Sequence, residues 1–390
     1  MIESFFWIAG SLLVYTFFVY PLLLTVLARV WDTTRHVDTS NFTWPKITVI
    51  VPAYNEADVI GRKIRNIREC TYQGEVELVI ASDGSRDGTG DIVRNELGGS
   101  GIFLDEKVRR GKTSIINKAV AAASGELLIF TDANVLLSSD ALECIARPFV
   151  DAEVGCVQGQ LSYTNEQDSC NAANGSLYWR YEESIKMAES QTGSLIGADG
   201  SLFAVRRNLF RQLPEHVLDD FCTSIGVLSQ GYRAVFEPGA TAYERATVYG
   251  TEEFQRKIRI ATRSISSFLF LAHQLRGIGS MNWFKMISHK VLRWGSGLLM
   301  LIVLLSNTVL VAQNGSGETN TFYVATLLLQ FAFYVIGGAF FAIHPRNRTV
   351  ARLFSIPAYF LLTVAATTVG VVRGLFGVAV PFWAQMKTTR

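Results

Sequence analysis

The chain has 390 residues, 49% of them hydrophobic and only 18% charged, with a formal net charge of +2. Soluble domains carry about 25% charged residues, so part of this chain is built for an apolar medium. The near-neutral balance gives a nucleic-acid partner no support, and neither the five cysteines nor the five histidines show zinc-ligand spacing.

Residues 5–28 are uncharged and long enough to cross a bilayer, which takes about 20 residues. The start Met-Ile-Glu and the missing small-residue cleavage site argue against a signal peptide. Residues 294–313, 321–343 and 353–372 are equally free of charge, so four spans are expected. Arg29, Arg35 and Lys46 follow the first span, Lys285, Lys290 and Arg293 precede the second, and Arg346, Arg348 and Arg352 separate the last two. The loop 314–320 has no Lys or Arg. Positive charge stays inside, which predicts an outside N-terminus and residues 31–292 on the cytoplasmic face of the inner membrane. Four spans leave the C-terminus outside, although the tail carries Arg373, Lys387 and Arg390. Residues 374–386 are apolar, include Pro381 and are too short to span; they read as re-entrant or interfacial.

Between the first and second spans the pattern alternates. The β-branched run 46–51 reads as a buried parallel strand, and Ile60, Ile64 and Ile67 then fall on one helical face. Strands are predicted over 76–81, 102–104 and 127–131, with helices over 88–97 and 112–123. This order predicts an α/β domain with a mostly parallel sheet covered on both faces. Ligands of such sheets bind beyond the carboxyl ends of the strands. Those ends carry Pro52-Ala53-Tyr54-Asn55-Glu56, the turn 82–89 with Asp83, the basic group Lys107, Arg109, Arg110 and Lys112, and Asp132-Ala133-Asn134. Alone, Asp83 is an ordinary turn residue, Arg109 and Arg110 a solvated face, and Asp132-Ala133-Asn134 a capping stretch. At successive strand ends they suit a nucleoside diphosphate and a hard cation. There is no P-loop and no GxGxxG.

The runs VIVPAYNE, LVIASDGSRDGT, GKTSIINKA, LLIFTDAN, GADGSLFAVRR (197–207), LDDF (218–221) and SHKVLRW (288–294) together resemble the membrane-bound family 2 inverting glycosyltransferases. That group includes synthases of cellulose, hyaluronan and poly-N-acetylglucosamine. The resemblance implies a glycosyltransferase A-type, Rossmann-like domain and assigns roles residue by residue. Ala53, Tyr54, Glu56 and Asp83 match nucleoside contacts, and Lys112 the cation near the diphosphate. Asp132 matches the first metal aspartate of a DxD motif, for Mg²⁺ or Mn²⁺, with Asn134 where the second aspartate usually stands. Asp220 matches the general base, with Asp219 as a helix cap or support. Trp179, Asp199, Gly200, Arg256 and Arg259 are the expected acceptor or phosphate contacts. Aligned on Arg259, the Gln-x-x-Arg-Trp of processive members reads Arg256-Lys-Ile-Arg-Ile260 here, which removes the aromatic that stacks on the acceptor sugar.

The expected organisation is an N-terminal span (1–30), a cytoplasmic catalytic domain (31–262), amphipathic interface helices (263–292), three C-terminal spans (293–372) and a tail (373–390). The expected function is metal-dependent, inverting transfer from a nucleotide sugar, UDP-linked, to a growing surface polysaccharide. The alternative is single-sugar transfer to a lipid or lipid-linked oligosaccharide, and the third reading an inactive or transport-associated partner. Expected partners are the donor, a glycan or lipid-linked acceptor, the bilayer, and an oligomer or export partner.

Overall fold

The computed structural model describes residues 1–31, 33, 42–313, 318–343, 348–377 and 389. Arg35, Arg346 and the tail residues Pro381, Lys387 and Arg390 lie outside the described residues, as do 314–317 of the loop between the second and third expected spans.

The chain begins with one apolar rod: α1 (Ile2–Val14), a π-helical turn (Tyr15–Val19) and α2 (Tyr20–Val30). Strands and helices then alternate: β1 (Ile47–Ala53), α3 (Ala57–Glu69), β2 (Val76–Asp83), α4 (Thr89–Leu97), β3 (Ile102–Glu106), α5 (Lys112–Ala122) and β4 (Leu127–Thr131). Each predicted strand is present; the first three run two residues further at the carboxyl end and the fourth keeps its predicted bounds. Next come β5 (Leu136–Leu137), α6 (Ala141–Ala146), β6 (Val154–Tyr163), α7 (Cys170–Gln191), β7 (Leu202–Arg206), α8 (Asp219–Ser229) and β8 (Arg233–Glu244).

The eight strands form one sheet in the order β3-β2-β1-β4-β7-β6-β8-β5. The first four are parallel, β7 runs antiparallel to β4 and β6, and β6 pairs parallel with β8. All of β1 is buried, because its two faces are both covered. Val49 and Val51 pack with Ile60, Ile64 and Ile67 of α3 on one face. Ile50 packs with Leu128 of β4 and with Ile115 and Ile116 of α5 on the other. This is the period-two alternation that makes a central parallel strand read as continuously apolar.

After the sheet, α9 (Gly250–Phe270) runs unbroken, so the boundary expected at 262/263 falls inside one helix. It is followed by α10 (Ser280–Lys285), a second π-helical turn (Met286–Val291), α11 (Leu292–Trp294), α12 (Ser296–Gln313), α13 (Glu318–Ile343) and α14 (Arg348–Leu375). Four helices are long and apolar enough to cross a membrane: Ile2–Val30, Ser296–Gln313, Thr321–Phe340 and Phe354–Leu375. Gly374, expected in the tail, still belongs to α14.

α14 lies flush against α9. A Cβ on Gly370 would come within 2.5 Å of the Ala261 Cβ, and one on Gly374 within 2.7 Å of the Ile265 Cβ. This small-xxx-small spacing lets two helix backbones approach closely, and it couples a candidate span directly to a helix that lines the site.

The segment 263–292 is amphipathic, as expected; Arg276 is exposed, but Lys285 is not a loop charge. Lys285 is wholly buried and donates to the carbonyls of Glu189, Thr192 and Ser194 at 2.8–3.1 Å. Arg293 pairs with Glu182. The large apolar residues this segment leaves exposed are Leu269, Phe270, Met281, Phe284 and Ile287. The basic count that set the topology therefore includes residues held inside the protein for packing reasons.

Candidate active site

The strand ends open onto a cavity of about 910 Å³. Its floor is the loop around Gly200. A Cβ placed on Gly200 would lie 3.1 Å from Lys112 Nζ, 3.3 Å from Asp220 Oδ2 and 3.9 Å from Asp132 Oδ2. Three charged side chains from α5, α8 and the end of β4 therefore converge on one point, and only a residue without a side chain leaves that point open.

Lys112 is paired with Asp132 at 2.8 Å and reaches Asp219 at 3.6 Å. Burial disfavours its ammonium, but the charges of Asp132, Asp219 and Asp220 outweigh that and hold its pKa above the ordinary lysine value. Asp220 carries the opposite strain. Burial first, then the neighbouring Asp219 charge, pushes its pKa up to about 7, with Lys112 and the Phe221 N–H opposing. A carboxylate tuned close to neutrality is the property a general base needs. Asp219 does not cap α8: the cap position is Leu218, and Asp219 and Asp220 are the first two helical residues. Their charges still meet the positive end of the helix.

Asp132 and Asn134 both line the cavity. Asn134 Nδ2 donates to Glu244 Oε1 at 3.0 Å and approaches the Thr389 carbonyl at 3.4 Å. Burial, then the Asp132 charge, raises Glu244 to about 7, against the pull of Arg256 and the Asn134 hydrogen bond. No group of three or more His, Cys, Asp or Glu stands ready for a metal among the described residues. One carboxylate, one amide and a neighbouring Glu fit a hard cation whose remaining ligands are diphosphate oxygens and water, as Mg²⁺ accepts.

The expected nucleotide residues divide. Glu56 and Lys112 line the cavity, whereas Ala53, Tyr54 and Asp83 are absent from its described lining. Both Asp83 oxygens accept backbone N–H groups, from Arg110 at 2.7 Å and Gly111 at 2.8 Å. Asp83 thus holds the β3–α5 loop against the β2–α4 turn. Gly84, at φ +74°, permits that approach, since a Cβ there would meet the Arg109 nitrogen at 2.9 Å. Arg109 in turn stacks over the Tyr54 ring at 3.6 Å.

Every expected acceptor residue lines the cavity. Asp199 accepts from Lys186 at 3.3 Å, from Gln158 and from Ser201. Trp179 is packed edge-on to Tyr163 and donates to Glu183 at 2.9 Å, so its ring is held in place. Arg256 is committed to Glu253 by two hydrogen bonds of 2.8 and 2.9 Å. Arg259 faces the cavity one turn on, its pKa lowered to about 10 by burial and by the charges of Arg256 and Arg263.

Several site residues escape sequence reasoning. Glu244 closes β8 at its carboxyl end, so the strand-end rule finds it once β8 is known. Lys63 is buried and donates to Thr131 Oγ1 at 2.8 Å and the Val135 carbonyl at 2.6 Å, bracketing the Asp132–Asn134 loop. Its signal was a lysine on the apolar face of α3, between Ile60 and Ile67. Lys290, Arg263 and Arg293 also line the cavity, although none was singled out as a site residue from the sequence.

Residues 45–265 match the family described as Glycosyltransferase like family 2. An N-acetylglucosaminyltransferase of Rhizobium sp. (strain N33) is 28% identical over 218 residues, covering 51% of this chain and 48% of the relative. A poly-beta-1,6-N-acetyl-D-glucosamine synthase of Staphylococcus aureus (strain MSSA476) is 24% identical over 203 residues, 50% of this chain and 49% of that one. The chain thus spans about half the length of the curated relatives it matches. Among solved structures, mannosyltransferase PcManGT from Pyrobaculum calidifontis, in complex with GDP-Man and Mn²⁺, superposes with a TM-score of 0.70 at 25% identity. That match covers 97% of this chain and all of that one. With the family match covering more than half of the sequence and a glycosyltransferase fold matched along nearly all of it, the chain belongs to the family 2-like glycosyltransferases.

Proposed function

We propose that the protein transfers a sugar, with inversion, from a nucleoside diphosphate sugar to a hydroxyl of a glycan held at the membrane. The carrying observation is the convergence of Asp220, Lys112 and Asp132 on the open point above Gly200. The acceptor hydroxyl loses its proton to Asp220 as its oxygen bonds to the anomeric carbon, and the nucleoside diphosphate departs from the opposite face. Lys112 and Arg259 supply cationic hydrogen bonds to the diphosphate. Asp132, with Asn134 and Glu244 beside it, would hold Mg²⁺ or Mn²⁺, which supplies charge stabilisation to the leaving diphosphate when bound. Asp83, Tyr54 and Arg109 shape the neighbouring wall for the nucleoside. The PcManGT complex with GDP-Man and Mn²⁺ supports donor class and metal; the sequence resemblance favours a UDP-linked donor, which makes a GDP sugar the rival to test.

The name of the Staphylococcus relative supports growth of a surface polysaccharide. Ile260, 38% exposed where processive members place tryptophan, favours single addition to a lipid or lipid-linked acceptor. We place the catalytic domain on the cytoplasmic face of the inner membrane, in line with Arg29 at the end of α2. Purified protein in nanodiscs with Mg²⁺ or Mn²⁺, offered a panel of UDP- and GDP-sugars, should release nucleoside diphosphate from one donor and lose that release on chelation. The product size then separates polymer from single addition. Absence of nucleotide binding to any donor would overturn the proposal.

A further inference from the structure

Residues 288–294 reach the cavity through the second π-helical turn, Met286–Val291, a geometry common at functional sites. The basic residues around it are almost all spent. His289 lies between two carboxylates, with Nδ1 2.8 Å from Glu189 and Nε2 3.1 Å from Glu182. Arg293 forms an ion pair with Glu182 and sits over the rings of Phe17 and Tyr181 at 5.7 and 5.2 Å, although its buried guanidinium nitrogens have no hydrogen-bond partner. Lys285 is satisfied by three carbonyls.

Lys290 is different. It lines the cavity, its Cε 3.7 Å from where a Gly197 Cβ would stand. It makes no hydrogen bond and no ion pair among the described residues. It feels Asp199, Asp220 and Glu189 through space, and burial followed by the like charge of Lys186 lowers its pKa to about 8. Lys290 is only partly buried, so its ammonium faces the cavity uncommitted to any one carboxylate and can meet an anionic ligand there. Arg263, 4% exposed on the same cavity wall, adds a buried Nε without a hydrogen-bond partner. Arg259, by contrast, feels the metal aspartate Asp132 and belongs to the donor side.

Two candidate spans add apolar side chains to the lining: Phe17 and Phe18 from the first, Ile356, Phe360 and Val364 from α14. The cavity therefore offers a proton acceptor, a cation within electrostatic reach of it, and apolar wall residues from the candidate bilayer-crossing helices.

We infer that the acceptor is a phosphate-bearing lipid-linked sugar, its hydroxyl at Asp220, its phosphate on Lys290 and its chain between the first span and α14. This rests on the transfer reading above and names the acceptor class within it.

The test measures binding without turnover. Full-length protein in detergent, with Mn²⁺ and saturating nucleoside diphosphate filling the donor site, is titrated with a polyprenyl diphosphate and with the polyprenol of the same chain length. The diphosphate should bind about 10- to 100-fold more tightly, the range expected for charge-assisted contacts. Lys290→Met should abolish most of that difference and Lys290→Arg should keep it, with nucleoside diphosphate binding as the check on folding. Equal binding of the two lipids to the wild type overturns the inference, as does an undiminished difference in Lys290→Met. Displacement of the lipid diphosphate by nucleoside diphosphate, or an equal response to inorganic diphosphate, also overturns it, by placing the ligand in the donor site. Loss of nucleoside diphosphate binding in the wild type would instead count against the transfer reading, so the two failures separate.

Discussion

Replacing Gly200 by alanine puts one methyl group at the point where three charged side chains meet. The new carbon would lie 3.1 Å from Lys112 Nζ and 3.3 Å from Asp220 Oδ2. Both are ends of flexible side chains and can withdraw by a few tenths of an ångström, and the Gly200 backbone is outside the left-handed region. Folding should therefore survive, with the melting temperature shifted by no more than about 2 °C. Catalysis should not. Displacement of about 1 Å at a reacting centre costs roughly 100-fold, so a smaller push on Asp220, with the methyl crowding the acceptor hydroxyl, should lower kcat by about 10- to 100-fold. That corresponds to about 1.4–2.7 kcal/mol of barrier. The assay is nucleoside diphosphate release at saturating donor, with donor affinity measured separately by titration and expected to stay within about threefold of wild type. Wild-type kcat in Gly200→Ala would refute the proposed convergence. So would a loss confined to donor affinity. Gly197→Ala serves as contrast: at φ +81° and with the Phe221 ring 2.7 Å from the new carbon, it should lose folded protein rather than rate.

Three further outcomes are expected. Asp220→Asn should lower kcat by about 10²- to 10⁴-fold, and wild-type kcat/KM should fall about tenfold per pH unit below the Asp220 pKa of about 7. Because the folded pKa is raised above the unfolded value of about 3.9, the native state holds the extra proton between the two. Asp220 thus costs stability as pH rises through that window, and Asp220→Asn should melt higher than wild type at pH 8 and alike at pH 4; matching melts at both would argue against the burial-driven shift. Asn134→Asp should tighten Mn²⁺ binding about tenfold by restoring a second carboxylate, yet lower metal-free stability by about 1–2 kcal/mol, because Glu244 loses its donor and gains a like charge; isothermal titration and thermal melting read the two effects. Gly370→Leu should force α14 away from α9 and reduce both detergent stability and turnover, whereas Gly338→Leu, with open space around its Cβ position, should be tolerated.

The sheet was legible because its strands are buried on both faces. Complete burial selects β-branched runs such as Ile47–Val51 regardless of context, and strand ends then mark where polar residues must be functional. That rule located Lys112 and Asp132, and the family pattern added Asp220. It stopped at the fourth strand, since β5 is two residues long, β6 and β8 are bulged and interrupted by polar residues and glycine, and β7 is a short antiparallel strand. Glu244 was lost with β8. Asp219 read as a cap or support residue, but Leu218, whose backbone is extended, holds the cap position, and Asp219 is already helical with its side chain 3.6 Å from Lys112.

What the sequence determined by itself was local: element type from periodicity, four apolar helices from length, and the family from ordered motifs. What only the tertiary structure decided was which charges meet. Lys285, Lys290 and Arg293 look identical in a loop count, yet one is bonded to carbonyls, one to a carboxylate, and one faces the cavity without a partner among the described residues. Asp83 and Asp220 are both strand-end or helix-start acids, yet one is consumed by backbone N–H groups and the other is left near neutrality beside Gly200. The reason is physical: periodicity reports burial along one element, whereas pKa and charge pairing depend on side chains brought together from elements more than a hundred residues apart.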